Sequence, residues 1–162
     1  PSSTTPFTLT VGLDRTLEQG FYIGSLDFTY GFGSVNVALV ERPVFVVYEV
    51  LPPQLVVSTN NLDFGTTATD LPLVVSNGGQ SRLNWSINAG LLPQWLAVGE
   101  SGGSLIYDST PNDGNPNTDT QTFLVRVFRD AVAPGNYSAD LMIETDTGQR
   151  QIVTVTMTVP AP

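Results

Sequence analysis

The chain reads as all-β, and three observations predict it. Apolar and polar residues alternate at period two along several segments, turn-forming pairs punctuate those segments, and no window carries the three-to-four apolar spacing of a helix. Tyr137, Ala139, Leu141 and Ile143 fall on one face of a strand, with Ser138, Asp140, Met142 and Glu144 on the other. Val153, Val155, Met157 and Val159 alternate in the same way with Thr154, Thr156 and Thr158, and Phe123, Val125 and Val127 form a third stripe. Turns are supplied by Pro134-Gly135, Thr147-Gly148, Asn77-Gly78-Gly79 and Ser101-Gly102-Gly103. Strands with one apolar and one wet face bury the apolar faces against each other, which predicts a β-sandwich.

Composition narrows the function classes. The 162 residues are 41% hydrophobic, room for one ordinary domain and part of another, with no apolar run of membrane-spanning length. Six basic residues against fifteen acidic ones give a net charge of −9; all six are Arg, and they are scattered. Affinity for nucleic acid or an anionic membrane needs clustered basic residues, so neither partner is expected. The chain has no His and no Cys, which removes the commonest general base, thiolate metal ligands and disulfides. It opens at Pro1 in a Ser/Thr-rich stretch without a signal peptide, pointing to a processed product or an excised fragment.

An internal repeat organises the chain. Phe7-Thr8-Leu9-Thr10-Val11 corresponds to Phe123–Val127, and Gly20-Phe21-Tyr22 corresponds to Gly135-Asn136-Tyr137. Leu26 and Phe28 then match Leu141 and Ile143, and Val35, Val37 and Leu39 match the closing strand, with Val44–Tyr48 as an additional apolar strand. Residues 1–50 therefore read as the back half of a module, 51–54 as a stiff Pro-rich linker, and 55–162 as a complete module. Tyr22 and Tyr137, each two residues after a Gly, are expected to pin a corner through their hydroxyls. A half-sandwich exposes an apolar face and free strand edges. Three arrangements answer that: a cut tandem array, completion by strands of another copy, or packing against the complete module.

The second module carries a resemblance. Leu62-Asp63-Phe64-Gly65, Leu73–Gly79, Leu83-Asn84-Trp85-Ser86-Ile87, Trp95-Leu96-Ala97-Val98 with Ser101-Gly102, and Pro134-Gly135-Asn136-Tyr137 occur in the order found in BACON and ASH domains. Residues 54–160 resemble that group of bacterial immunoglobulin-like domains throughout, whereas residues 6–40 match only its last strands; the polar stretch 108–121 is longer than the family pattern. The resemblance implies an immunoglobulin-like, extracytoplasmic sandwich, often one of several in a surface protein, lipoprotein, glycosidase or phage tail protein. BACON domains have been proposed to bind carbohydrate or mucin.

Several motifs invite chemistry. Gly99-Glu100-Ser101-Gly102-Gly103 fits a nucleophile pattern, yet no His or Lys is present to activate the serine, so a glycine-rich turn is expected. Glu100, Asp108 and Asp113 lack any sign of converging across a cleft as a glycosidase pair must. The oxygen-rich segment Asp108–Asp119 offers Asp108, Asp113 and Asp119 as Ca²⁺ ligands, although its register departs from an EF-hand and no Glu closes it. Trp85 is expected in the core, and Trp95 and Tyr107 are the candidates for stacking on a sugar. Asn84-Trp85-Ser86 and Asn136-Tyr137-Ser138 match the N-glycosylation pattern but fall at strands.

The expectation is a non-enzymatic, bacterial, secreted or cell-surface module. It would be a structural or adhesive unit of an array or filament assembled by β-strand pairing, its partners other copies or neighbouring modules. The alternative is a carbohydrate-binding module using Trp95 and Tyr107, with glycans as partners.

Overall fold

The computed structural model describes residues 10, 17–30, 40–107 and 118–162. Eleven strands run through them, with helical backbone limited to single 3₁₀ turns at Ala89–Leu91 and Arg129–Ala131. The fold is an immunoglobulin-like β-sandwich preceded by a separate hairpin.

The hairpin joins β1 (Gly20–Tyr30) to β2 (Val40–Val50) in one antiparallel register, from Gly20 opposite Val50 to Tyr30 opposite Val40. This revises the sequence-based alignment. Val35, Val37 and Leu39 lie outside the described residues, and the strand that closes on β1 is Val40–Val50. Val44–Tyr48 is thus the middle of that closing strand, not an additional one. The reason is register: Tyr22 faces Tyr48 across the hairpin as Tyr137 faces Met157 in the complete module.

The complete module stacks two sheets. One orders β3 (Leu55–Val57), β5 (Asp70–Asn77), β9 (Thr120–Val127) and β7 (Leu96–Val98) side by side. The other orders β4 (Asn61–Asp63), β11 (Arg150–Val159), β10 (Gly135–Thr145), β6 (Leu83–Ile87) and β8 (Gly102–Leu105). The first strand divides between them: β3 pairs antiparallel with β5, and three residues later β4 pairs parallel with β11. Period-two alternation sends Leu73, Val75, Val125, Leu141, Ile143, Val153 and Val155 inward, each fully buried. At about 1.5–3 kcal/mol for each such side chain, these stripes dominate the favourable side of folding. Trp85 joins them at 3% exposure, stacked on Phe123 with ring centroids 5.3 Å apart.

Two clamps hold the module's ends. The Arg129 guanidinium is half-buried and donates to the carbonyls of Ala68 (2.6 Å), Phe64 (3.0 Å) and Gly65 (3.2 Å), tying the β4–β5 loop to the end of β9. The second clamp takes in the linker, which is a docked segment and not a free spacer. Leu51 N–H donates to Gln80 Oε1 and Ser81 N–H to the Leu51 carbonyl; Gln149 donates to the Pro53 carbonyl and accepts from Leu55 N–H. Buried Asn77 accepts from Gln54 N–H and Gly79 N–H through Oδ1 and donates to the Ser81 carbonyl at 2.6 Å. Residue 79 must be glycine, because a Cβ there would collide with the Pro52 carbonyl. Val50, the last residue of the hairpin, is buried at this junction.

Candidate functional site

The sequence-derived ligand residues fall partly outside the described residues, and those described sit in different surroundings. Trp95 is 6% exposed and part of the core, its ring tilted against Tyr137 at 5.9 Å between centroids. Neither indole face is open to a sugar, which corrects its assignment as a ligand platform; it packs on the corner tyrosine instead. Tyr107 is half-buried just beyond β8. Asp108 and Asp113 lie outside the described residues. Asp119 sits half-buried before β9, its backbone carbonyl accepting from Asn77 N–H and its Oδ1 buried without a hydrogen bond. Among the described residues no group of three or more acidic side chains is placed to hold a metal ion.

The Gly-Glu-Ser-Gly-Gly segment has a packing explanation. Gly102 and Gly103 lie in β8 opposite Ser86 and Trp85, and a Cβ at Gly103 would strike Gln121 Oε1 and approach the indole nitrogen to 3.0 Å. Glycine lets the edge strand cross closely over Trp85. Ser101 contributes its carbonyl to Ile87 N–H. The Asn84 and Asn136 side chains are engaged, one donating to Asp146 and the other accepting from Thr158.

The unusual surface is the hairpin. Its corner repeats that of the complete module atom for atom: Tyr22 Oη donates to the Glu18 carbonyl at 2.8 Å, and Tyr137 Oη to the Ala133 carbonyl at 2.7 Å. Each ring lies over the glycine two residues before it, 3.8 Å from a Cβ placed at Gly20 and 3.6 Å from one at Gly135. With the corners superposed, Tyr22, Gly24 and Leu26 take the inward positions of Tyr137, Ala139 and Leu141, opposite Tyr48, Val46 and Val44. Leu141 is fully buried, whereas Leu26, Val46 and Tyr48 are half-buried and Val44 is 48% exposed.

The outward face differs in kind. On the complete module it is a polar ladder apart from the facing pair Met142 and Ile152: Thr158 Oγ1 donates to Asn136 Oδ1, Thr154 Oγ1 to Asp140 Oδ1, and Thr156 Oγ1 to Asp63 Oδ1. On the hairpin the corresponding positions hold Phe21, Ile23, Phe45 and Val47, exposed by 74, 73, 69 and 66%. Together they form a contiguous exposed apolar patch. Val44–Tyr48, apolar at both parities, hints at this face from one strand, but the placement of its residues depends on the pairing with β1.

No protein-family model matches the sequence, and neither does any curated protein. Solved structures share its outline. The ASH / PapD-like domain of human CEP192 (PapD-like domain 7) is similar over 67% of this chain and 87% of its own, at 12% identity and a TM-score of 0.48. WR4, a C. elegans MSP family member, is similar over 65% of this chain and 96% of its own, at 9% identity and a TM-score of 0.41. A protein of unknown function from Porphyromonas gingivalis W83 is similar over 92% of this chain and 70% of its own, at 11% identity and a TM-score of 0.48.

Proposed function

We propose that this chain is a non-enzymatic, extracellular structural module that joins to its neighbours by completing the sandwich begun by the β1–β2 hairpin. The observation behind this reading is the repeated corner: β1–β2 reproduces β10–β11, yet among the described residues its sheet has two strands where the equivalent sheet has five. Isolated two-stranded hairpins are marginal in water, so strands from a neighbouring module or another copy are the natural complement. An inward face of Tyr22, Leu26, Val46 and Tyr48 is suited to receive them, with the gap over Gly24 open to a large side chain, as Trp95 sits against Tyr137.

Hydrogen exchange tests this. In the dilute chain, amides of 20–50 should exchange far faster than those of 135–159, and become protected at concentrations where sedimentation shows assembly. Equal protection of both hairpins in the monomer would mean that the chain completes its own half-module, and the reading would fail. Burial of Trp95 removes the main support for a carbohydrate-binding role.

A further inference from the structure

The geometry points to a second, separate use of the hairpin: its outward face is an isologous contact between two copies of this chain. Strand completion uses the inward face and the strand edges, so this contact goes beyond that reading and does not depend on it.

The first support is the register. Ile23 faces Val47, Phe21 faces Glu49 and Ser25 faces Phe45. An antiparallel pair has a local two-fold axis normal to the sheet, and about the Ile23–Val47 centre that axis exchanges Phe21 with Phe45 and Ser25 with Glu49. The aromatic rings therefore occupy one diagonal of the patch, and the smaller or polar residues the other. When two such faces are laid together about an in-plane two-fold with their strands aligned, the diagonals cross. Each Phe21 then falls over the partner's Glu49 corner, and each Phe45 over the partner's Ser25 corner. The four rings interdigitate around a centre of two Ile23 and two Val47, as facing sheets about 10 Å apart require.

The second support is area. With a whole aromatic side chain contributing about 150–250 Å² and Ile23 and Val47 somewhat less each, the four side chains at their observed exposures present about 500 Å² per copy. Two copies would remove about 1,000 Å² from water, the lower bound of a specific association. The third support lies in the sequence pattern: Val44-Phe45-Val46-Val47-Tyr48 is apolar at both parities. A strand covered on both faces reads that way, whereas β10 and β11 alternate apart from one outward apolar residue each, Met142 and Ile152.

Electrostatics set a sign. Each copy carries −9, with Asp27 and Glu49 at the rim of the patch, so copies repel at long range. Salt screens that repulsion. The contact should therefore tighten as salt rises, opposite to the behaviour of a basic partner drawn by charge.

The test is sedimentation equilibrium of the full chain from about 1 to 200 μM at low and high salt, a range spanning weak specific association. It would compare wild type with F21N/I23S/F45T/V47T, whose new residues are those already found at the equivalent positions of β10–β11, and with Leu26→Glu on the inward face. The expected result is a dimer that strengthens with salt, survives Leu26→Glu, and weakens at least tenfold in the fourfold variant while the module's melt is unchanged. Val47→Glu alone, at the patch centre, should weaken it by a similar factor, and serves if the fourfold variant fails to fold. Three results would overturn the inference: a wild-type monomer throughout, a dimer indifferent to the outward substitutions, or one lost only with Leu26→Glu. The last would leave strand completion standing without this contact.

Discussion

The hairpins β1–β2 and β10–β11 share a corner, a tyrosine hydrogen bond and an antiparallel register, yet one is seated in a core and the other is coated with exposed aromatic and branched side chains. The comparison separates two kinds of information. Local shape follows from a glycine, a tyrosine two residues on and a carbonyl four residues back. How a hairpin's faces are coated follows from which parities are apolar. In β10–β11 the outward parity is polar apart from Met142 and Ile152; in β1–β2 it carries Phe21, Ile23, Phe45 and Val47 as well as Ser25 and Glu49.

The difference can be broken most forcefully at equivalent inward positions. Leu141→Ala should cost the module about 2–5 kcal/mol through lost burial and the cavity left behind, read by chemical denaturation. Leu26→Ala at the matching hairpin position should leave the same transition unmoved. Equal losses would show that the hairpin folds as part of the module's cooperative unit.

The junction comes next. Asn77→Ala strands buried backbone donors and should destabilise the module by about 1–3 kcal/mol, and it should also raise proteolysis at Leu51–Gln54. Gly79→Ala should release the linker by collision with Pro52. If neither substitution alters cleavage, the linker is held by other contacts.

A smaller effect sharpens the corner comparison. Tyr137→Phe removes one hydrogen bond, worth about 0.5–1.5 kcal/mol, whereas Tyr22→Phe should change assembly or hairpin exchange but not the module's melt.

The smallest effect is electrostatic. Asp70 accepts from Arg126 Nε at 2.6 Å, and this hydrogen bond holds its carboxyl below the ordinary value of 3.8. A carboxylate with a depressed pKa stabilises the fold above its unfolded value and loses that contribution as pH falls through the folded one. The slight difference in melting temperature between wild type and Asp70→Asn should therefore be present at pH 5 and disappear as the pH falls below 3.8 and through the folded value. A gap that widened on acidification would contradict the pairing.

Much of this was legible beforehand. Alternation in Tyr137–Glu144 and Val153–Val159 disclosed both strands and their inward faces, because burial on one side leaves a period-two trace. The corner tyrosines and the core position of Trp85 followed from the likeness to immunoglobulin-like sandwiches, which pin a corner with a Tyr and bury a Trp in an alternating strand. Arg129 was not legible, since its partners are backbone carbonyls of 64, 65 and 68, and a carbonyl leaves no mark in a sequence. The split of the first strand escaped for a similar reason, because a change of sheet preserves the alternation. Trp95 misled because an aromatic beside Pro93-Gln94 looks like a loop residue until Tyr137 is placed against it. The apolar outward face could have been suspected from Val44–Tyr48, but its diagonal pattern required the partner strand.

The parallel pairing of β4 with β11 has a mechanical consequence. The chain enters the module ahead of β4 and leaves it at the end of β11, so tension pulls these neighbours in opposite directions along their common axis. The bonds from Thr154 N to Asn60 O, Phe64 N to Thr156 O and Thr158 N to Gly65 O then lie across the pull and share it, instead of opening one after another. A module strung between neighbours would resist stretching as a shear clamp, with the stitched linker delivering the force to its first strand.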